Sequence, residues 1–258
     1  QALVEHPLVS LVSFTGSTVT GTRIGETCGR LHKRLSLEMG GKNAMIVLED
    51  ADLDLALAGV LWGAFGTTGQ RCTATSRLLL HRRIHDRFLD RLVSRVARLR
   101  VGDGSEPETE VGPLIHAAAR EKVERYVAIG RKEGAELVTG GTRPKGARFL
   151  HGWFHAPTIF AGVKPGSRLE QEEIFGPVLS VVRVGSLDEA IRINNGVRYG
   201  LSSALYTHDS RAAFRGLQDL DNGITYINAP TIGAEAHLPF GGVKQTGNGH
   251  REGGWEVY

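Results

Sequence analysis

The sequence has 258 residues, 41% of them hydrophobic and 23% charged, a globular composition long enough for one large domain or two small ones with a buried core. Its 31 Lys and Arg against 28 Asp and Glu leave a formal net charge of +3, too small an excess for the basic tail or stripe of a nucleic-acid or membrane-surface binder. No apolar run approaches the ~20 residues of a bilayer span, Glu5, His6 and Pro7 break the stretch a signal peptide would need, and two cysteines exclude a disulfide scaffold.

A reducing, cytoplasmic compartment is therefore expected, with no nucleic-acid partner and no membrane. The 34 glycines are roughly twice the usual ~7% and point to turns and ligand-facing loops. In chain order, Leu8 to Phe14 reads as a buried strand closed by a glycine turn. Ser17 to Gly29 reads as a helix with a Ser/Thr cap. Strands follow at Arg34 to Met39 and Ala44 to Leu48. Asp52 to Phe65 is a helix with Leu53, Ala56, Leu57, Val60 and Leu61 on one face. Arg77 to His81 is a strand. Ile84 to Leu99 is a helix with the stripe Ile84, Phe88, Leu92, Val96 and Leu99. Its Arg87, Arg91, Arg95 and Arg98 read as a solvated face, since Asp86 and Asp90 are interleaved and stacking aromatics are absent. Ala117 to Gly134 is helical, Val178 to Val184 a strand, Leu187 to Asn194 a helix, Leu201 to Tyr206 a strand, Ser210 to Leu220 a helix and Ile224 to Asn228 a strand. Alternating strands and helices predict an α/β fold with a mostly parallel sheet flanked by helices. Trp255 to Tyr258 looks like the start of a further element.

Five motifs carry possible chemistry. In Gly69-Gln70-Arg71-Cys72-Thr73-Ala74, Cys72 is a nucleophile only as thiolate, which Arg71 or backbone N–H groups favour; taken alone it reads rather as a small buried hydrophobe. Gly69 lets the backbone bend close to a ligand. Cys28 has no activating neighbour and reads as core. In Leu37-Glu38-Met39-Gly40-Gly41-Lys42, Glu38 at a strand end suits a general base, or a surface pair with Lys42. Phe14-Thr15-Gly16-Ser17-Thr18-Val19-Thr20-Gly21 places a Gly-Ser turn at a helix start, a natural anion site or an ordinary cap, without the G-x-G-x-x-G fingerprint. Glu172-Glu173-Ile174-Phe175-Gly176-Pro177 offers a carboxylate for ribose hydroxyls and an aromatic to pack on a ring. Pro239-Phe240-Gly241-Gly242, followed by Gly247-Asn248-Gly249, reads as tight turns with one pocket-lining aromatic.

The order and spacing of these motifs closely resemble the aldehyde dehydrogenase superfamily over essentially the whole chain. Glu38 and Cys72 lie 34 residues apart (72 − 38), as in that family. Gly16-Ser17-Thr18 lies upstream, Glu173-Ile174-Phe175-Gly176-Pro177 downstream and Pro239-Phe240-Gly241-Gly242 last. Gly223 to Asn228 and Gly233-Ala234-Glu235 resemble its late substrate-pocket region.

The resemblance implies oxidation of an aldehyde to a carboxylic acid with NAD or NADP. Cys72 would attack the aldehyde carbon, forming a thiohemiacetal and then a thioester, and Glu38 would activate the hydrolytic water. Gly16, Ser17, Gly21, Glu173 and Phe175 would hold the cofactor, and Phe240 would line the aldehyde tunnel. Arg71 and Glu235 are candidates for a charged substrate such as a semialdehyde. By the same resemblance, residues 1–37 are the end of an NAD(P)-binding domain, with a remnant of its Rossmann-like sheet. Residues 38–245 are the catalytic domain, and 246–258 a tail returning toward the cofactor and oligomerisation region. Family members are about twice this long. The expectation is a truncated chain, inactive or nearly so alone, whose partners are an N-terminal half or further copies in a homo-oligomer. The family's oxyanion-hole asparagine belongs to that other half, and Asn43 is not it. The alternative is a non-catalytic remnant or oligomerisation module, with an exposed edge strand near Leu8 to Phe14. A papain-type hydrolase would need a histidine beside Cys72. The pairs His81/His85 and His151/His155 lack a metal motif, so no metal is expected.

Overall fold

The computed structural model describes residues 1–252; the element expected at Trp255 to Tyr258 lies outside the described residues. A single helical turn, α1 (Ala2–Glu5), leads into β1 (Leu11–Thr15), α2 (Thr18–Arg30) and β2 (Arg34–Glu38). The two strands pair in parallel, with Leu11 opposite Arg34 and Thr15 opposite Glu38. Ser17 caps α2, its hydroxyl accepting the Thr20 N–H at 3.3 Å. Among the described strands β1 pairs only with β2, and Leu11 on it is 47% exposed. The apolar run from Leu8 therefore does not form the buried strand its pattern predicts: β1 alternates between exposed and half-buried residues, because one of its edges has no partner among the described strands.

The chain then builds β3 (Asn43–Val47), α3 (Leu53–Phe65), β4 (Thr75–His81), α4 (His85–Val96), α5 (Ala117–Lys132), β5 (Glu136–Thr139) and β6 (Thr158–Ala161). It continues through α6 (Arg168–Gln171), β7 (Val178–Val184), α7 (Leu187–Asn195), β8 (Tyr199–Gly200), β9 (Ser202–Tyr206), α8 (Ser210–Asp219), β10 (Ile224–Ile227), β11 (Phe240–Lys244) and β12 (Gly249–Glu252). A seven-stranded sheet runs β10-β9-β3-β4-β7-β6-β5. All its pairings are parallel except the edge strand β5, which is antiparallel to β6. A small antiparallel sheet, β12-β11-β8, lies beside it.

The central strands are buried on both faces, as crossover helices require. Alternate residues separate cleanly: Ala44, Ile46, Leu79 and Val182 pack with α5, α7 and α8, whereas Met45, Val47, Leu78, Leu80 and Val181 pack with α3 and α4. On α4 the expected stripe Ile84, Phe88, Leu92 and Val96 is buried, and Leu99 follows the helix end as a half-buried neighbour. Arg87, Arg95 and Arg98 are exposed, and Arg91 pairs with Asp54. Cys28 is fully buried in α2. The pattern left out β5, β6 and α6, each four residues long and too short for any periodicity to show. No helix among the described residues is long and apolar enough to cross a membrane.

Candidate active site

Glu38 closes β2, Asn43 opens β3, Cys72 precedes β4 and Glu173 precedes β7. Because β3, β4 and β7 are parallel neighbours, these segments meet at the amino ends of the strands. Ligands of open α/β sheets usually sit at the carboxyl ends. A second cleft of about 510 Å³ does occupy that end. There the Asp50 carboxylate accepts the Thr207 hydroxyl and the N–H groups of His208 and Asp209, which join β9 to α8. Asn43 and the Cys72 and Glu173 motifs are at the other end.

Gly40 and Gly41 make the convergence possible. A Cβ on Gly40 would collide with the Glu173 carboxylate, and one on Gly41 would lie 2.7 Å from the Cys72 carbonyl oxygen. The Gly41 N–H donates to Glu173 Oε1 at 3.0 Å. Burial pushes the Glu173 carboxyl above its usual range, opposed by that N–H and by Lys122, Lys42 and Arg198. Glu38 is 3% exposed, and its backbone carbonyl accepts the Gly16 N–H at 3.0 Å, which joins the helix-start motif to the strand end.

Cys72 follows a tight turn with Thr68 at φ +56° and Gly69 at φ +66°. A Cβ on Gly69 would collide there with the Gly176 carbonyl. Gln70 fixes the turn, donating to Pro113 O at 3.2 Å and accepting the Ile115 N–H at 2.9 Å. Burial raises the Cys72 thiol, while the N–H groups of Thr73 and Cys72 and the charge of Arg71 favour the thiolate.

A cleft of about 550 Å³ opens over Cys72. Thr15, Gly16, Ser17, Met39 and Gly40 form one wall, and Ile115, His116, Ala119 and Lys122 another. Glu173, Ile174 and Phe175 complete it, with Arg71 and Gln70 beside the cysteine. The structure thus brings Gly16, Ser17, Arg71, Cys72, Glu173 and Phe175 together. Phe175 stands at φ +60° and is 41% exposed.

Four expected site residues do not line this cleft. Glu38 is buried behind the Gly40 wall. Gly21 is buried in α2, where a Cβ would collide with Met39 Sδ, so it sets the helix against the Glu38 turn. Phe240 begins β11 half-buried, and Glu235 is exposed on the preceding loop. Tyr226 links that loop to the site: its hydroxyl, raised by burial, feels both Glu235 and Arg71, and it donates to Gly233 O at 2.6 Å.

The segment Gly247-Asn248 is not the expected tight turn. It lies along β2, with Gly247 in an antiparallel bridge to Glu38. The Leu37 N–H donates to Asn248 Oδ1 at 2.8 Å, and Asn248 Nδ2 donates to Leu35 O at 2.8 Å. The Met39 N–H donates to Thr246 O at 2.7 Å. Sequence reading gave no role to Gln70, inside the Cys72 motif, or to Thr231, and it missed Lys122, which stands in no motif. The histidine pairs hold ordinary partners: His81 Nε2 meets Gly185 O, His85 meets Asp86, and His155 Nδ1 meets Ala156 O.

The fold is of the α/β class with a cleft over Cys72, and comparison makes the family plain. The aldehyde dehydrogenase family model matches residues 1–258, and the chain belongs to that family. It is 44% identical over 252 residues to an aldehyde dehydrogenase of Didymella fabae, covering 96% of this chain and 50% of that one. It is 38% identical over 254 residues to the alpha-ketoglutaric semialdehyde dehydrogenase of Bacillus subtilis, covering 98% and 52%. A crystal structure of Staphylococcus aureus betaine aldehyde dehydrogenase in complex with NAD+ superposes with TM-score 0.95 at 38% identity, covering 98% of this chain and 50% of that one. The chain spans about half the length of the curated relatives it matches.

Proposed function

We propose that the protein oxidises an aldehyde to a carboxylic acid with NAD or NADP, through a thioester on Cys72. The observation that carries this reading is the placement of Cys72 in a cleft shared with the start of α2 and with Glu173. The residues present fit a dinucleotide. The first turn of a helix leaves N–H groups without intrahelical partners, and Gly16 and Ser17 bring that end of α2 to the cleft wall. Glu173 and Phe175 would hold the nicotinamide ribose end.

Cys72 Sγ adds to the aldehyde carbon, and the new oxyanion meets the Cys72 N–H. A dinucleotide held there by Gly16, Ser17, Glu173 and Phe175 would supply the acceptor for the hydride that must leave this carbon. The acyl group then stays on Cys72 as a thioester. Glu38 takes a proton from the water that attacks it, releasing the acid and the thiol. Two free thiols fit a reducing cytoplasm, and the open edge of β1 fits self-association, which sizing in solution tests. Residues 1–37 would then be the end of the cofactor unit, 38–245 the catalytic unit and 246–258 its returning tail.

The purified protein is titrated with NAD and NADP, then assayed against a panel of aldehydes. Dinucleotide reduction that vanishes in Cys72→Ser supports the reading, and turnover that survives the substitution overturns it. Glu38→Gln should give one fast turnover and then stall at the thioester.

A semialdehyde is the finer substrate reading, since Arg71 lines the cleft beside Cys72 and shares Tyr226 with Glu235. A carboxylate bound by Arg71 should lose about 10–100-fold in kcat/KM in Arg71→Ala, with neutral aldehydes unaffected. An unchanged preference removes the semialdehyde.

A further inference from the structure

Three carbonyls in a row after the candidate nucleophile end on side chains from elsewhere in the fold. Asn43 Nδ2 donates to Cys72 O at 2.7 Å and to Ala74 O at 2.9 Å. Thr231 Oγ1 donates to Thr73 O at 2.7 Å. Its one hydrogen is then used, so Thr75 is the donor in the 2.7 Å contact between the two hydroxyls. Asn43 Oδ1 in turn accepts the Ser202 N–H at 3.1 Å. Asn43 is 3% exposed and Thr231 fully buried, so water does not compete for these bonds.

A trans peptide is planar, so its C=O and the following N–H point in opposite directions. Turning Cys72 C=O onto Asn43 therefore turns the Thr73 N–H the other way. That way lies the sulfur, which the N–H groups of Thr73 and Cys72 both face. Released from Asn43, the Cys72–Thr73 peptide could rotate and offer an oxygen where an N–H now stands. A thiolate or oxyanion would meet a lone pair in place of a donor.

We propose that Asn43 is a positioning residue for the nucleophile: its amide bridges Cys72 O and Ala74 O and so holds the Thr73 and Cys72 N–H groups toward the sulfur and the oxyanion formed on attack. Thr231 fixes the next peptide, whose Ala74 N–H donates to Arg71 O at 3.1 Å and so closes the turn behind the sulfur. This rests on reading Cys72 as the nucleophile. It differs from the role the family resemblance gives to an asparagine, because the Asn43 side chain is consumed by protein carbonyls and touches no substrate.

The test follows alkylation of Cys72 by iodoacetamide against pH, read by mass spectrometry, alongside kcat and KM of the purified protein. Loss of one N–H donor to the thiolate should move the alkylation midpoint up by about half to one pH unit, slowing reaction at neutral pH about three- to tenfold. In Asn43→Ala kcat should fall about 10²-fold, with KM for aldehyde little changed. Ser180→Ala, which removes a buried bond to Leu169 O away from the cleft, should lower stability and leave the alkylation profile in place. A folded Asn43→Ala protein with an unshifted midpoint overturns the proposal, whatever its turnover. If Asn43→Ala does not fold, Asn43→Leu, which keeps the bulk and has no donor, is read by the same midpoint and decides. Turnover surviving Cys72→Ser would instead sink the underlying reaction, a separate outcome.

Discussion

The Thr246 hydroxyl donates to the Gly40 carbonyl at 2.8 Å and accepts the Gly200 N–H at 3.1 Å. One fully buried side chain thus ties the turn after Glu38, 206 residues away from it in sequence, to β8. Thr246→Val keeps the shape and strands both backbone groups. It should cost about 1–3 kcal/mol, seen as a lower urea midpoint with unchanged slope. Thr246→Ser should recover most of the loss. Equal stability of the Val variant would show that these bonds contribute nothing net.

Arg77 and Glu170 form a 2.6 Å ion pair with both side chains 1% exposed. Arg77 also donates to the carbonyls of Lys42, Ile193 and Asn194, so β4, the Glu38 turn and the end of α7 share one guanidinium. Glu170→Gln leaves that charge buried without its counter-ion and should cost about 3–5 kcal/mol. The double variant Arg77→Met with Glu170→Leu should cost clearly less than the sum of the single changes. Additive urea denaturation energies would mean that the two groups act independently.

Much of this architecture was legible in the sequence because burial on two faces leaves strong patterns. The α4 stripe and the central strands are set by period alone, and the Glu38, Cys72 and Glu173 motifs by their order. What stayed hidden depends on contacts between distant segments. Nothing near Gly247-Asn248 in sequence announces that it lies along β2, since the bonds its Asn248 side chain makes to the β2 backbone go to residues some 210 positions earlier. Gly21 reads as part of an anion site by its neighbours, yet Met39, from the other motif, decides its packing. Asn43 looks like the tail of the Glu38 motif until the Cys72 carbonyl appears beside it.

Gly69 and Gly134 separate two reasons for a glycine. Both have left-handed backbones, at φ +66° and +80°. A Cβ on Gly134 has open space, whereas one on Gly69 would strike the Gly176 carbonyl. Gly134→Ala should therefore cost only the backbone term, about 1 kcal/mol. Gly69→Ala should cost more in thermal unfolding, because the loop of Phe175 must also move. Equal losses would mean that this loop yields freely.

Lys42 should write its own pH dependence into stability. Its side chain is 1% exposed, and Nζ has no hydrogen-bond partner among the described residues. Burial, with help from Arg77, lowers the amine from 10.5 to about 7, against the pull of Glu170 and Glu173. The unfolded chain keeps the ordinary value, so between pH 7 and 10.5 it binds a proton that the folded chain lacks. Stability therefore rises with pH across that window, by at most about 1.4 kcal/mol per pH unit, and the cost is complete below its lower end. Lys42→Met keeps the length and removes the titration. The difference in urea stability between the two proteins cancels every other titrating group. It should favour the variant most near neutral pH and shrink steadily as the solution is made alkaline. A difference that stays constant over that range would mean that the amine holds its proton inside the fold, with a partner such as Glu173 neutralising it.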